Sequence, residues 1–129
     1  MKVTKLHLLK ATLVLGALFF LVGAAVHWFG LSLFPWYDHA LYSPYHDSLI
    51  AAFCLFLVLL LLTLARGPVK NKDVLRAVII GVLLISLFNV LIPFKIDFVS
   101  LGAPAKKMQT ILEGVLGFVY GGILLLLSY

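Results

Sequence analysis

Residues 49–65 decide the fold, because they form an uninterrupted apolar run that reads LIAAFCLFLVLLLLTLA. A helix of about 20 residues, rising about 1.5 Å per residue, crosses the roughly 30 Å hydrocarbon core of a bilayer. Residues 11–29, 77–94 and 111–127 have the same apolar character. We therefore predict an all-α integral membrane protein, a bundle of four transmembrane helices.

The composition of the whole chain agrees with this prediction. Of its 129 residues, 64% are hydrophobic and 12% are charged, and the mean hydropathy is +1.16. An ordinary soluble domain carries about 25% charged residues, so a soluble monomer is excluded. The single cysteine, Cys54, excludes a disulfide or a cysteine-based metal centre within one chain.

Residues typical of helix ends extend the apolar runs into full spans. Ser43, which is followed by proline, predicts the start of a helix. Pro104 predicts another start, Gly67 predicts a stop, and Asn71 predicts the next start. We predict a single domain, residues 1–129, with spans at residues 11–29, 44–65, 72–94 and 104–127.

The first apolar segment also has features of a signal peptide. Lysines precede it, and the small residues Gly23, Ala24 and Ala25 are suitable for cleavage. The apolar run nevertheless continues to Phe29. We therefore expect an uncleaved first span.

The distribution of lysine and arginine predicts the orientation. Seven of the ten lie before the first span or around the second loop, and three lie on the opposite side. Because short loops rich in these residues face the cytoplasm, we predict that both termini are cytoplasmic. This topology accounts for the net charge of +5, so the predicted partner is the lipid bilayer and not a nucleic acid. The absence of an organellar transit pattern favours the cell membrane of a bacterium or archaeon.

Polar residues inside the apolar spans indicate a candidate site. A charged residue at the centre of a span costs about 2.5–3.5 kcal/mol on insertion scales, so such residues are informative. Three polar residues within the spans map to the half of the bundle opposite the termini, and a histidine lies nearby in the first turn of the second span. The hypothetical ligand-binding residues are His27, His46, Asn89 and Glu113. An alternative is that Glu113 lies at the membrane interface, near the N-terminus of its helix, where the helix dipole stabilises a negative charge.

The sequence contains no motif that is diagnostic of a particular reaction. Histidine and carboxylate side chains near the first loop are typical metal ligands, but no His-x-x-x-His or His-Glu-x-x-His pair is present, so no metal site is predicted. GxSxG, Walker A, GxGxxG and CxxC motifs are also absent. We assign no catalytic residues and no cofactor, and the sequence favours a protein that is not an enzyme.

The first loop is rich in aromatic residues. An interfacial aromatic belt explains this composition. A lid over the pocket, or a docking surface for a partner, explains it equally well. The candidate lid or docking residues are Trp36, Tyr37, Asp38, His39, Tyr42, Tyr45 and Asp47.

Small residues predict close helix packing. They are Gly23 in the first span and the pair Gly117 and Gly121 in the fourth. Helical spacing places Lys106, Gln109 and Glu113 on the same face of the fourth span as the glycine pair, and we predict that this face contacts protein. Packing within the bundle is favoured over self-association.

We consider three functions. The favoured one is a non-catalytic accessory, assembly or scaffold subunit, because four short-looped helices offer a wide surface to other membrane subunits or to further copies of the chain. The alternative is an outer-facing small-molecule or lipid-binding protein, either a transporter or a membrane enzyme, with a polar pocket in the outer half. The third is ion conduction through an oligomer that depends on Glu113.

Overall fold

A computed structural model describes residues 3–33 and 37–129 of the chain. Its main elements are four long helices: α1 (Val3–Phe29), α2 (Pro44–Arg66), α3 (Lys72–Leu91) and α4 (Ala105–Ser128). Within these described residues, four helices are long and apolar enough to cross a membrane. The prediction of an all-α chain with four such helices is therefore confirmed.

The helix boundaries differ from the predicted spans at two places. α1 begins at Val3 rather than at residue 11, because the lysines of this segment have good helix propensity although their charge lowers the hydropathy. α3 ends at Leu91 and is followed by a short 3-10 helix, Ile92–Phe94. Pro93 lies in this segment and has no N–H group to continue the α-helical hydrogen bonding.

The cap residues lie at the predicted positions, although their side chains bond elsewhere. Ser43 is the N-cap of α2 and Asn71 is the N-cap of α3. The Ser43 hydroxyl pairs with Nδ1 of His46 at 3.0 Å. The Asn71 amide donates to the carbonyl of Gly67 at 3.0 Å, so the α2–α3 turn is closed against the end of α2.

The two ends of the bundle differ in chemistry. We call the end with the start of α1, the α2–α3 turn and the end of α4 the basic end, and the end with the α1–α2 and α3–α4 loops the loop end. The apolar core lies toward the basic end and draws on all four helices, and its members are Leu9, Leu13, Ala17, Leu61, Leu64, Leu75, Ile79 and Leu124. Toward the loop end, Asp47 and Gln109 are buried.

The helices pack as two hairpins. α1 lies along α2 and α3 lies along α4, and the two hairpins meet chiefly through α1 and α4. At that contact the Tyr120 hydroxyl of α4 donates to the Thr12 carbonyl of α1 at 3.3 Å. Gly16 lies directly beneath the Tyr120 ring, so the absence of a side chain on α1 makes room for the aromatic residue.

Of the α4 glycines, Gly114 lies closest to backbone atoms of α3, although the sequence analysis did not select it. A Cβ atom added to Gly114 would lie 2.8 Å from the Ser86 carbonyl oxygen and 2.6 Å from Cγ2 of Val90. Both distances are shorter than van der Waals contact. Any larger residue would therefore push the two helices apart.

The predicted packing glycines lie against neighbouring helices of the same bundle. Gly117 and Gly121 both face side chains of α3. Gly23 faces α2, where an added Cβ would be 3.6 Å from Sγ of Cys54, an ordinary contact distance. Space is therefore tight between α3 and α4 and less restricted between α1 and α2 at this level.

Candidate functional site

Asp47 joins three separate parts of the chain at the loop end. It lies in the first turn of α2 and is 5% exposed. Its Oδ1 accepts a hydrogen bond from the Tyr37 hydroxyl at 2.7 Å and lies 2.6 Å from Nδ1 of His27. Its Oδ2 accepts from the backbone N–H of Ser43 at 2.8 Å. One carboxylate thus connects the end of α1, the α1–α2 loop and the start of α2.

The short contact to Asp47 determines which nitrogen of the His27 ring carries the hydrogen. A carboxylate can only accept, so Nδ1 must carry the proton at 2.6 Å. In a neutral imidazole the lone pair is then on Nε2. Among residues 3–33 and 37–129, none makes a hydrogen bond to Nε2. The Asp47 carboxylate therefore orients an imidazole whose second nitrogen is available as a hydrogen-bond acceptor.

Tyr37 is the aromatic centre of the site. It is 7% exposed, and its ring meets the His27 ring edge-on with centroids 4.7 Å apart. Lys106, in the first turn of α4, places its ammonium nitrogen 4.2 Å from the centroid of the Tyr37 ring. This is a cation–π geometry. Burial raises the pKa of the Tyr37 phenol well above its ordinary value, and the bond to Asp47 raises it further. The phenol is thus a permanent hydrogen-bond donor at neutral pH.

A second group of polar contacts links the loop to α4 through Gln109. This side chain is 6% exposed. Its Oε1 accepts from the backbone N–H of Asp38 at 3.1 Å, and its Nε2 donates to Oε1 of Glu113 at 2.9 Å. Gln109 and Glu113 lie one helical turn apart on the face of α4 predicted to contact protein, where Gln109 is buried and Glu113 is half-buried.

These contacts form one continuous arrangement, which we call the loop-end network. Its members are His27, Tyr37, Asp38, Asp47, Lys106, Gln109 and Glu113. Glu113 lies close enough to Lys106 and His27 to interact electrostatically with both. Within the described part of the chain, the Lys106 ammonium and Oε2 of Glu113 have no hydrogen-bond partner. The network thus combines an oriented imidazole, a carboxylate and a primary ammonium group.

The four hypothetical ligand-binding residues are not all brought together. His27 and Glu113 belong to the loop-end network. His46 is exposed, and its Nδ1 pairs with the hydroxyl of the neighbouring Ser43. Asn89 is half-buried on α3, and its side chain makes no hydrogen bond with the described members of the network.

The candidate lid or docking residues also divide into two groups. Tyr37, Asp38 and Asp47 belong to the network. The other described members are His39, which pairs with Ser32 at 2.6 Å, Tyr42, which lies over Gly30, and Tyr45, which is 70% exposed. Trp36 lies outside the described residues. The exposed Tyr45 suits an aromatic belt, whereas Tyr37 and Asp38 connect the loop to the helices below.

Two members of the network, Lys106 and Gln109, were assigned by sequence reasoning neither to the pocket nor to the lid or docking loop. The available signal was their spacing from Glu113, which places all three on one face of α4. Within residues 3–33 and 37–129, no three His, Cys, Asp or Glu side chains are grouped as metal ligands.

Comparisons of the chain with protein-family models, with curated proteins and with solved structures find no match. The functional argument therefore rests on the geometry of the loop-end network.

Proposed function

We propose that this protein binds a small polar molecule or the polar headgroup of a lipid at the loop end of its helical bundle. The observation that carries the proposal is the convergence of the loop-end network, whose side chains come from α1, the α1–α2 loop, α2 and α4. Binding is the step common to a transporter and a membrane enzyme, the two activities that such a site would serve.

The loop-end network has polar atoms that a ligand can reach. Among the described residues, every fully buried side-chain polar atom has a hydrogen-bond partner. Nε2 of His27, Nζ of Lys106 and Oε2 of Glu113 make no hydrogen bond to another described residue, so these atoms are accessible. Three different functional groups of the network are thus available to a ligand.

The chemistry of these groups defines the class of ligand. An ammonium donates to carboxylate, phosphate or carbonyl oxygens, and a carboxylate accepts from hydroxyl or amine groups. An imidazole nitrogen that carries no hydrogen accepts a hydrogen bond from a hydroxyl or amine group. We expect a ligand that has both an oxygen acceptor and a donor, attached to a body that tolerates the apolar helices around the site.

Replacing Glu113 with glutamine tests the proposal. The wild-type protein and the Glu113→Gln variant are purified from their native membrane in mild detergent, and bound molecules are identified by native mass spectrometry and an absorption spectrum. The amide oxygen of the variant can still accept from Gln109, so the fold is preserved while the charge is lost. Asp97→Asn is the matched control, because Asp97 is exposed and, among the residues that the structure describes, its side chain bonds only to nearby backbone N–H groups.

We expect a defined small molecule or lipid in the wild type and in the control. Its occupancy should fall by about tenfold or more in Glu113→Gln, since a hydrogen bond to a charged group contributes about 1.5–3 kcal/mol. Equal occupancy in all three proteins, or no bound molecule in the wild type, would refute the proposal.

A second candidate function is an accessory, assembly or scaffold subunit of a larger membrane complex. The observation that favours it is the low burial of α3, where 11% of the most apolar stretch is buried, compared with 33% in α1. Such a surface offers space to other membrane subunits or to a second copy. Recovery of the protein in a stoichiometric complex with larger subunits, from the same purification, would support this function.

The surrounding membrane is part of the proposal. The excess of lysine and arginine at the basic end supports cytoplasmic termini, which would open the loop-end network toward the outer face of a bacterial or archaeal cell membrane. A reporter enzyme that is active only outside the cytoplasm, fused after Tyr129, should be inactive. The same reporter inserted in the α3–α4 loop should be active, and the reverse pattern would contradict this orientation.

A further inference from the structure

A cleft lies at the basic end of the bundle, on the opposite side of the apolar core from the loop-end network. It has a volume of about 260 Å³ and is open to the surroundings. Its floor is apolar, because it includes Leu9 and Leu75, which are 1% and 3% exposed. Its walls come from α1, from the α2–α3 turn with the start of α3, and from the end of α4. Three separate parts of the chain therefore form it.

The rim of the cleft is basic. Lys72 and Arg76 line it, are exposed and lie one turn apart on the same face of α3. Lys5 lies one turn before Leu9 on α1 and is half-buried, which adds a third cation near the same place. The Arg76 guanidinium approaches Asp73 at 3.5 Å, with both side chains largely exposed. So weak a surface pair leaves Arg76 able to contact another anion.

The charges of the chain are unevenly divided between the two ends. Of the five acidic residues, only Asp73 lies at the basic end, and the other four lie at the loop end. Among the acidic side chains, a phosphate group at the cleft would therefore compete with Asp73 alone, which approaches Arg76 at 3.5 Å. Basic pockets between membrane helices are suited to phosphate headgroups because the acyl chains can lie along the adjacent apolar helices.

We infer that this cleft binds the phosphate headgroup of an anionic phospholipid, with Lys72 and Arg76 donating to the phosphate oxygens and Leu9 and Leu75 contacting the lipid's apolar part. The site lies at the opposite end of the molecule from the loop-end network. Its existence is independent of the function proposed for that network.

The test compares two double variants with the same loss of charge. Lys72→Gln with Arg76→Gln removes the two rim cations. Arg66→Gln with Lys70→Gln removes two exposed cations that belong to the same end of the bundle but do not line the cleft. The full chain, in detergent micelles, is titrated with phosphatidylglycerol or phosphatidylcholine and followed by native mass spectrometry. All replaced side chains are exposed, and a melting curve of each variant verifies that it is folded.

We expect the wild type and the Arg66/Lys70 variant to prefer phosphatidylglycerol over phosphatidylcholine. The Lys72/Arg76 variant should bind phosphatidylglycerol about 30-fold more weakly, which corresponds to about 1 kcal/mol for each cation at the membrane surface. Equal weakening in both variants would show an effect of overall charge and overturn the inference. A wild type without preference for the anionic lipid would also overturn it.

A parallel titration with inorganic phosphate distinguishes a lipid from a free anion. The lipid assignment predicts that phosphate alone, at concentrations that match the lipid, does not displace phosphatidylglycerol and does not raise the melting temperature. Displacement at equal concentration would assign the cleft to a soluble phosphate compound and refute the lipid site.

Discussion

Removing the Asp47 side chain should loosen the whole loop end of the bundle. In the Asp47→Ala variant, His27, Tyr37 and the Ser43 backbone lose their common acceptor, to which they are bonded at 2.6, 2.7 and 2.8 Å. Tyr37 is buried, so its hydroxyl cannot simply turn to water. The variant thus leaves an unsatisfied donor and removes the polar link that joins the end of α1 and the loop to the start of α2.

The size of the effect follows from these contacts. A hydrogen bond to a charged group contributes about 1.5–3 kcal/mol, but bonds that share one carboxylate are not additive. Breaking a buried charged pair by removing one partner costs about 3–5 kcal/mol. Because His27 is partly exposed, we expect a loss of about 3 kcal/mol for Asp47→Ala. Asp47→Asn keeps one acceptor oxygen for His27 and Tyr37 but places an NH2 donor against the Ser43 N–H, so its loss should be smaller than that of Asp47→Ala, about 1–2 kcal/mol.

Unfolding in mixed micelles of increasing SDS content, followed by tryptophan fluorescence, measures these differences. Asp73→Ala is the control, because the Asp73 side chain is 82% exposed and its ion pair with Arg76 is a weak surface pair. We expect that control to stay within about 0.5 kcal/mol of the wild type. If Asp47→Ala unfolds at the same SDS content as Asp73→Ala, the network does not hold the loop end together and our reasoning is wrong.

Three further predictions concern packing and protonation. Gly114→Ala should be about 1–3 kcal/mol less stable than Gly122→Ala, because the added Cβ meets backbone atoms of α3 only in the first variant, which SDS unfolding of both will check. Leu124→Ala should destabilise the bundle by about 2–5 kcal/mol, since Leu124 is 0% exposed, whereas the 75% exposed Leu126 should tolerate alanine in the same assay. Tyr37→Phe should leave the phenolate absorbance at about pH 11 unchanged, because burial and Asp47 keep the Tyr37 phenol protonated above the usual tyrosine pKa of about 10. A decrease by the share of one tyrosine would show that Tyr37 is not buried against the carboxylate.

The neighbours His46 and Asp47 illustrate where sequence reasoning stops. Both were selected from the sequence, the histidine for the pocket and the aspartate for the loop, and the structure reverses these positions. Consecutive residues of an α-helix point about 100° apart, since there are about 3.6 residues per turn. The rotational setting of α2 therefore turns Asp47 into the bundle and leaves His46 exposed. Only the packing of α2 against α1 determines that setting.

Gly114 provides a second example, in helix packing. The Gly-x-x-x-Gly spacing drew attention to Gly117 and Gly121, and both do face α3. Of the α4 glycines, however, Gly114 is the one that lies closest to the α3 backbone. Sequence spacing identifies which face of α4 carries small residues. The level at which two helices come closest depends on the shapes of both helix surfaces.

The sequence by itself determined that this is a chain of four helices able to span a membrane, and it placed the caps and the polar residues along them. These properties are local, because the length of an apolar run and the residues at its ends can be assessed without knowing what lies nearby. Only the tertiary structure decided which polar residues meet. The contact between Asp38 and Gln109 joins positions 71 residues apart, and the basic cleft joins α1, α3 and α4. Such contacts depend on the rotation and crossing of whole helices, which no local pattern specifies.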